Sequence, residues 1–459
     1  MLAPETRLVG PNDPLTRLER NGLIALSVFI AAFAVLVVHR SAIQDIKRTD
    51  ATVYFRAGWA LRAGLNPYTV SDYNDLHFAY PPLAGIFFEP FADPPADVSR
   101  EGMMPLVLSM SLWIVLCIAV TFLAVHWFAL AIEEKASPES ILKAQPGGRR
   151  WWYHRMLPIY VCIAPIGCTF SRGQITPFLL LLFAGMFLAH VRGKRLVAGL
   201  WLAMAICTKL IPALLILYPM LRRDWRMLAG LALGLFLGIG LLPGAQLGWS
   251  RSLDVHEQFI DHMIKPALGL GGTSTMHEEM MSMKRPGCQS IKAIIHNYRH
   301  WDRDTRPENA DALTSILYLT SSGILLAGLI FMYWRKQTTD AIDDLAFIGG
   351  LCTLLCIISP ESHTHYFCLP IPLIMALAFR SMNKGSLSLM PGKNSLSVII
   401  FAGFCFAIVM VPIWDKRREA GIPLLGSLVL WCAACNLLAQ RRIRPANEDS
   451  DHRQPALAA

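Results

Sequence analysis

Long apolar stretches separated by short polar connections recur along the whole chain. Several, such as 104–131 and 227–247, have the length and low charge of helices that cross a bilayer, which need about 20 apolar residues. The alternating pattern of an outer-membrane β-barrel is absent from the sequence. We therefore predict an all-α polytopic membrane protein with about twelve membrane segments. The apolar stretches are residues 23–39, 104–131, 156–170, 175–190, 196–208, 210–220, 227–247, 312–333, 345–359, 366–379, 395–413 and 420–439.

Connections rich in lysine and arginine orient these segments, because such connections remain in the cytoplasm. Two of them, 192–195 and 222–226, flank a single apolar run, 196–220. One full-length helix would put one of these connections on the wrong side, whereas two half-helices hinged near Lys209 and Pro212 keep both inside. The pattern therefore predicts a half-helix hairpin. The connections placed in the cytoplasm are 133–155, 192–195, 222–226, 335–336, 380–393 and 441–444.

The chain divides into a membrane domain and two polar ends. Residues 1–22 are predicted to be a cytoplasmic segment, 23–440 the polytopic domain, and 441–459 a disordered cytoplasmic tail. The first apolar stretch lacks the small-residue cleavage pattern of a signal peptide, so we expect it to be a membrane anchor. The largest external loops are 40–103, where we expect catalysis, and 248–310, which we expect on the acceptor or lipid side.

The loop 40–103 carries its own short elements. Residues 51–63 have an apolar face with Arg56 and Arg62 away from it, which is typical of an amphipathic helix lying on a bilayer surface. Residues 83–91 form an apolar run that is too short to span a membrane. We predict a surface helix followed by an interfacial or re-entrant element.

Composition supports a membrane protein and excludes other classes. The chain is 54% hydrophobic and 16% charged, which is too apolar for a soluble globule. The net charge of +9 reflects membrane topology, since no nucleic-acid-binding motif is present. Most of the 11 cysteines lie in or beside apolar segments, so a disulfide framework is not expected. Cys432 and Cys435 fall inside an apolar helix, where packing is the favoured interpretation.

The unusual polar residues fall on one predicted side of the membrane. The loop containing Asp50, residues 171–174, Lys209, the loop 248–310 and residues 359–366 are all expected on the non-cytoplasmic side. One carboxylate among several cations suits the transfer of a sugar from a lipid phosphate. The phosphate leaves as an anion without a general acid, so one carboxylate base and a set of phosphate-binding cations suffice, with no metal required.

We accordingly predict Asp50 as the base and Arg172, Lys209, His363 and His365 as phosphate-binding candidates. Asp50 has a simpler interpretation as the N-cap of the helix that follows it. His363 and His365 contact substrate, form a metal pair or are structural histidines. A lysine at the depth of Lys209 costs roughly 3 kcal/mol unless it lines a polar cavity or has a partner, which favours a functional role.

Two further groups have alternative interpretations. Tyr54, Tyr68 and Tyr80 either stack on a sugar or belong to the aromatic belt at the membrane interface. The run 277–279, His-Glu-Glu, lacks a second histidine at helical spacing, so a solvated loop is favoured over a zinc site.

One ordered set of motifs resembles a known family. The pattern Asp50-x3-Tyr54-x9-Gly64-x-Asn66-Pro67-Tyr68 resembles the first external loop of the family 87 glycosyltransferases. These are polytopic enzymes of the GT-C class that include polyprenyl-phosphate-mannose-dependent α-mannosyltransferases of bacterial lipoglycan synthesis. The likeness runs from about residue 45 to 370. The motifs that follow in the expected order are Tyr80-Pro81-Pro82-Leu83, Gly173-Gln174, Lys209-x2-Pro212, Gln289-Ser290 and Pro360-x2-His363-x-His365.

The resemblance implies a GT-C fold and a set of residue roles. Asp50 corresponds to the general base of an inverting transfer, and Lys209, His363 and His365 to groups near the lipid phosphate. Two departures, Thr176 where the family often has asparagine and Cys288 where asparagine is usual, concern the sugar and acceptor more than the reaction. The substrate-binding residues that we predict are Tyr54, Asn66, Tyr68, Tyr80, Arg172, Gln174, Lys209, Gln289, His363 and His365.

The predicted function is that of an inverting glycosyltransferase in the plasma membrane. It would move a hexose, mannose by resemblance, from a polyprenyl-phosphate sugar to a lipid or glycan hydroxyl at the outer face, without a metal or other cofactor. A transporter or flippase of lipid-linked sugars is the alternative from another class, because it also needs buried charge and broken helices. A non-catalytic scaffold is a third. The residues leave the acceptor, the linkage position and the oligomeric state open.

Overall fold

The computed structural model describes residues 14–135, 144–267, 282–283, 287–336, 339–383 and 419–440. Within these residues the protein is helical, and its β-structure is limited to isolated bridges, so the all-α prediction is confirmed. The helices are α1 Arg17–His39, α2 Ala51–Arg62, α3 Pro82–Phe87, α4 Leu106–Lys135, α5 Arg149–Val161, α6 Ile163–Arg172, α7 Thr176–Val191, α8 Arg195–Thr208, α9 Leu217–Leu221, α10 Trp225–Leu235, α11 Leu242–Leu247, α12 Trp249–Phe259, α13 Lys265–Ala267, α14 Ile291–Arg299, α15 Ala312–Trp334, α16 Ala341–Ile358, α17 Ile371–Asn383 and α18 Ile422–Ala439.

Shorter helical turns complete the described backbone. Turns of 3₁₀ helix cover Ile46–Arg48, Glu89–Phe91, Ile211–Ile216 and Thr364–Cys368, and π-helical turns cover Arg40–Gln44, Phe236–Leu241 and Ile260–Ile264.

In the described part of the chain, 6 helical segments are long and apolar enough to cross a membrane. The prediction of a multi-pass membrane protein is therefore confirmed in this form, and the total of about twelve segments stays a prediction. The apolar stretch 395–413, the run 277–279 and the tail 441–459 lie outside the described residues. The long segments are Arg17–Gln44, Leu106–Lys135, Trp225–Leu247, Ala312–Trp334, Ala341–Ile358 and Ile422–Ala439.

Helix α16 lies at the centre of the bundle. Its most apolar window is 89% buried, against 6% for α1 and for α15. A helix that is apolar on all sides has no polar face to expose, so it packs in the interior or faces lipid. Here α16 packs against α15, α17 and α18, and its first turn is closed by a capping box between Asp340 and Asp343.

Helices α8 and α10 run parallel in close contact. A Cβ atom at Gly230 would lie 2.0 Å from the carbonyl oxygen of Leu196. Further along, a Cβ atom at Gly238 would lie 2.6 Å from the Sγ atom of Cys207. Because the residue numbers of the contacting pairs increase together, the two helices run in the same direction. The segment between them must therefore return to the end at which α8 begins.

This return places two basic connections together. The Nη1 atom of Arg195, at the start of α8, lies 3.2 Å from Oδ2 of Asp224, which caps the start of α10. Connections 192–195 and 222–226 thus lie at one end of the bundle, as the hairpin prediction requires. Residues 209–221 supply the returning segment. The placement of that hairpin in a membrane stays a prediction.

Helix α2 is buried inside the protein, so the predicted surface helix is wrong. Every residue from Ala51 to Leu61 is buried, including Arg56. The Nε atom of Arg56 donates to the carbonyl oxygen of Asp93 at 2.9 Å, and Nη2 lies 3.7 Å from Oδ2 of that residue. A buried arginine is tolerated when a carboxylate pairs with it. The sequence pattern failed here because the partner lies in the loop that folds back over the helix.

Residues 82–91 pack closely on α2. They form α3 and the turn Glu89–Phe91, and a Cβ atom at Gly58 would lie 2.5 Å from the carbonyl oxygen of Phe88. The backbone of this segment therefore rests directly on the helix. Whether the segment is interfacial or re-entrant stays a prediction.

Candidate active site

A chain of hydrogen bonds connects Asp50 with Lys209. The side-chain amide of Gln174 donates to Oδ2 of Asp50, and the hydroxyl of Tyr54 donates to Oε1 of Gln174 at 2.9 Å. The hydroxyls of Tyr54 and Tyr80 lie 3.0 Å apart, and Nζ of Lys209 lies 3.4 Å from the Tyr80 hydroxyl. The structure thus brings together candidate residues from four separate parts of the sequence.

The carboxylate of Asp50 is turned into this cluster. Asp50 occupies the N-cap position of α2, but its side chain makes no hydrogen bond to the start of that helix and so does not cap it. Nη1 of Arg172 lies 3.6 Å from its Oδ2 atom, and the Arg172 side chain is about half exposed. Arg172 therefore lies beside the predicted base.

A tight corner between α6 and α7 places Arg172 and Gln174 beside Asp50. Gly173 has a φ of 64°, in the left-handed region that favours glycine. Its carbonyl oxygen accepts a hydrogen bond of 2.7 Å from Nε1 of Trp113. A Cβ atom on Gly173 would lie 2.7 Å from the Cβ atom of Ala51. The corner needs glycine for both its backbone conformation and its close approach to α2.

Lys209 lies at the break after α8, between two tyrosines. Its Nζ atom donates to the hydroxyl of Tyr366 at 2.6 Å. It also lies 4.2 Å from the ring centroid of Tyr366 and 4.9 Å from that of Tyr80, distances typical of cation–π contacts. Within the residues that the structure describes, Lys209 forms no ion pair. Its direct partners in the described residues are therefore aromatic rings and hydroxyl groups.

Tyr366 is the functional candidate that the sequence analysis did not single out. It follows His365 at the start of an apolar stretch, where an aromatic residue is usually attributed to the membrane interface. Only its position in the polar run 359–366 indicated a role.

Tyr54 and Tyr68 are buried and Tyr80 is partly buried, and their stacking on a sugar stays a prediction. The ring of Tyr54 stacks on Phe88 at a centroid distance of 4.9 Å, and the hydroxyl of Tyr68 donates to the carbonyl oxygen of Tyr80 at 2.9 Å. Burial raises the pKa of both Tyr54 and Tyr80, so their hydroxyls remain protonated and can donate. Tyr54 and Tyr80 are therefore part of the hydrogen-bonded network between Asp50 and Lys209.

The two candidate histidines lie beside this network. Their rings are 5.8 Å apart, and the ring of His365 lies 4.4 Å from that of Tyr366. His365 is buried, and among the described residues neither of its ring nitrogens is hydrogen-bonded. Nε2 of His363 lies 3.5 Å from Oε1 of Glu361. The pair therefore extends the group of aromatic rings around Lys209.

Two other candidates are tied to backbone. Oδ1 of Asn66 accepts from the backbone N–H of Tyr68 at 2.8 Å, which shapes the turn after α2. The side-chain amide of Gln289 donates to the carbonyl oxygen of Gly287 at 3.2 Å. Both side chains therefore stabilise the local backbone.

Metal ligands are not clustered in the described residues: no group of three or more His, Cys, Asp and Glu side chains there could hold an ion. The expected independence from metal stays a prediction. The cysteines in the same part of the chain are free thiols, and Cys288 is buried.

Comparison with known sequences identifies the protein family. A profile of glycosyltransferase family 87 matches residues 78–360, which is more than half of the chain. The chain belongs to glycosyltransferase family 87. The predicted resemblance is confirmed. Tyr80, Gln174 and Lys209 fall inside the matched region, whereas Asp50 precedes it and His363 follows it.

Two relatives of this family 87 enzyme are both named polyprenol-phosphate-mannose-dependent alpha-(1-2)-phosphatidylinositol mannoside mannosyltransferase. The protein of Mycolicibacterium smegmatis is 25% identical over 375 residues, covering 78% of this chain and 74% of the relative. The protein of Mycobacterium tuberculosis is 31% identical over 323 residues, covering 69% of this chain and 65% of the relative. The chain thus spans somewhat less than two thirds of the second relative's length.

Proposed function

We propose that this family 87 enzyme transfers mannose from a polyprenyl-phosphate mannose to a hydroxyl of a lipid or glycan acceptor. The observation that carries the proposal is that Asp50 and Lys209 occupy the two ends of one hydrogen-bonded chain. A base and a phosphate-binding cation are the two groups that this reaction requires. The names of the relatives support mannose as the sugar and a phosphatidylinositol mannoside as the first acceptor to test.

In the proposed reaction Asp50 takes the proton of the acceptor hydroxyl. The acceptor oxygen attacks C1 of the sugar as the bond between C1 and the phosphate oxygen breaks. This single displacement inverts the configuration at C1 and releases polyprenyl phosphate. The phosphate leaves as an anion, so it needs cations more than a general acid, and Lys209 forms no direct salt bridge with a carboxylate among the described residues. His363 and His365 lie next to the same position.

A cavity lined by Cys207 and Leu210, which flank Lys209 in the sequence, offers a place for the first units of the polyprenyl chain. Its volume is about 200 Å³, and its lining is almost wholly apolar. It lies against the Tyr80-Pro81-Pro82 element, where we expect the donor to enter from the bilayer. Its walls include Pro81, Leu83, Leu210, Ile239 and Phe259. An apolar lining of this kind suits the hydrocarbon chain of a lipid phosphate.

We place the reaction at the outer face of the plasma membrane, on a GT-C fold with about twelve segments and a half-helix hairpin at 196–220. Loop 40–103 would supply catalysis and loop 248–310 the acceptor side. Reporter fusions at residues 75, 193 and 224 test this topology. We expect the fusion at 75 outside and the other two in the cytoplasm. A cytoplasmic reporter at 75 would overturn the outer-face assignment.

Purified protein in lipid nanodiscs tests the chemistry. It is offered polyprenyl-phosphate mannose labelled in the sugar, together with phosphatidylinositol mannosides, other glycolipids or soluble glycans. We expect label in one acceptor class and an equal amount of polyprenyl phosphate released. In vesicles, movement of intact donor across the bilayer without release would identify a flippase instead. No transfer to any acceptor and no release would reject the enzyme proposal.

Two further measurements refine the enzyme proposal. NMR of the product should show the configuration at C1 opposite to that of the donor, and retention would exclude the single displacement. Activity should survive EDTA. A loss that Mg²⁺ or Mn²⁺ restores would show that a metal assists.

A further inference from the structure

We propose that Gln174 is a positioning residue for Asp50, in place of the substrate-binding role predicted for it. Its amide holds Oδ2 of Asp50, so that Oδ1 faces the acceptor hydroxyl, and it connects the base to the ammonium of Lys209 through two tyrosine hydroxyls. This inference rests on the proposed function, in which Asp50 is the base.

The direction of every hydrogen bond in the chain follows from chemistry alone. An ionised carboxylate only accepts, so the NH₂ group of Gln174 must face Asp50 and its carbonyl must face Tyr54. Tyr54 therefore donates to Gln174 and accepts from Tyr80. The Tyr80 hydroxyl has then used its proton, and its oxygen accepts from Lys209, which can only donate. All donors thus point from the cation towards the carboxylate.

The amide of Gln174 is poorly placed to bind a sugar. The residue is 4% exposed, and both polar atoms of its side chain are already engaged, one by Asp50 and the other by Tyr54. Its own backbone carbonyl accepts a weak hydrogen bond from Sγ of Cys117 at 3.8 Å. A sugar contact would require breaking one of these bonds and leaving a buried polar group unpaired, which is costly.

The two carboxylate oxygens of Asp50 have different surroundings. Gln174 and Arg172 both contact Oδ2. In the described residues Oδ1 has no hydrogen-bond partner, and the side chain is 21% exposed. Oδ1 is therefore the atom available to take a proton. Because a chain of polarised hydrogen bonds behaves cooperatively, phosphate bound at Lys209 would also act on the orientation of this carboxylate.

Substitution of Gln174 by glutamate gives the sharpest test. The side chain keeps its shape, but a second carboxyl group then lies against Asp50. Two adjacent carboxyls resist being ionised together, so we expect the acid limb of the pH–rate profile to move to higher pH by about one unit or more. The groups that face Asp50 and remain unchanged are Arg172 from α6, Tyr54 from α2, and Tyr80, Lys209 and Tyr366 further along the network.

Kinetic constants separate positioning from binding. We expect Gln174→Glu and Gln174→Ala to lower kcat about tenfold to a hundredfold while KM for donor and acceptor changes less than about threefold. Tyr54→Phe keeps the ring stacked on Phe88 but removes the donor to Gln174, so it should lower kcat by a smaller factor. It also gives a second test should Gln174 variants fold poorly. Gln145→Glu, an exposed glutamine between α4 and α5, is the matched control.

The outcomes are distinct. A raised KM with unchanged kcat and pH profile in the Gln174 variants would overturn the positioning role in favour of a sugar contact. Unchanged kinetics in Gln174→Glu and Tyr54→Phe would also overturn it. Failure of the proposed function has another signature, because wild-type protein would then transfer nothing, or Asp50→Asn would turn over normally.

Discussion

The ammonium of Lys209 donates a hydrogen bond of 2.6 Å to the hydroxyl of Tyr366, 157 residues away in the sequence. The same nitrogen lies 4.2 Å from the ring centroid of Tyr366. One tyrosine thus restrains the lysine both through its hydroxyl and through its ring. This restraint fixes the position of the cation within the hydrogen-bonded network. A preorganised cation needs little rearrangement when an anion develops beside it.

Replacing Lys209 by methionine should weaken use of the donor. The variant keeps the length of the side chain but loses the charge, so we expect kcat/KM for the polyprenyl-phosphate sugar to fall about a hundredfold or more. Lys209→Arg should retain part of the activity, since the charge remains. Lys194→Met, at an exposed lysine, is the control. Steady-state kinetics with labelled donor decide, and a Lys209→Met enzyme with normal kcat/KM would exclude the phosphate contact.

Tyr366→Phe separates the contribution of the tyrosine hydroxyl from that of its ring. The ring contact with Lys209 survives, whereas the hydrogen bond of 2.6 Å is lost. We expect a decrease in kcat/KM of about tenfold, smaller than for Lys209→Met. An effect equal to that of Lys209→Met would instead show that the hydroxyl itself contacts the donor.

Asp50→Asn should abolish most transfer while the protein still folds. Asparagine preserves the shape of the side chain but cannot take a proton, and general-base catalysis is worth about a hundredfold to ten-thousandfold. Asp97→Asn, an exposed carboxylate in the same loop, should be neutral. Turnover is measured with labelled donor, and size-exclusion chromatography in detergent checks the fold. Near-normal turnover of Asp50→Asn would remove this carboxylate from the mechanism.

The sequence predicted the parts of the fold that hydrophobicity alone determines. The apolar stretches within the described residues all form helices, because a segment without polar side chains must satisfy its backbone internally in a membrane. The charges of 192–195 and 222–226 also indicated that the chain turns back near Lys209. The parallel contact of α8 and α10 agrees with that expectation.

Features that depend on a partner elsewhere in the sequence were not predictable. Arg56 was expected to be exposed because it lies away from the apolar face of its helix, and only the folded loop brings Asp93 to it. Gln174 was expected to bind substrate because its motif is shared by the family. That its amide is enclosed between Asp50 and Tyr54 is a property of the fold and leaves no local sequence signal.

Arg56→Ala should destabilise the protein. The substitution leaves Asp93 buried without one of its partners, and breaking a buried ion pair costs about 3–5 kcal/mol. Since the wild-type residue supports α2, which carries Tyr54 and follows Asp50, activity should fall together with stability. Arg62→Ala, at the exposed end of the same helix, is the control. Thermal unfolding in detergent should show a clear decrease in Tm for Arg56→Ala only, and equal Tm values would contradict the buried pair.

Gly230→Ala should separate α8 from α10 and thereby disturb Lys209. The added Cβ atom would lie 2.0 Å from the carbonyl oxygen of Leu196, and backbone cannot move aside as a flexible side chain can. Alanine normally favours a helix over glycine by about 1 kcal/mol, so a loss of stability here must come from the contact. Gly323→Ala, with nothing within 4 Å of its added atom, should leave stability unchanged or raise it slightly. Because α8 ends one residue before Lys209, we expect Gly230→Ala to lower both Tm and donor use, and unchanged values of both would show that the parallel pair does not position the lysine.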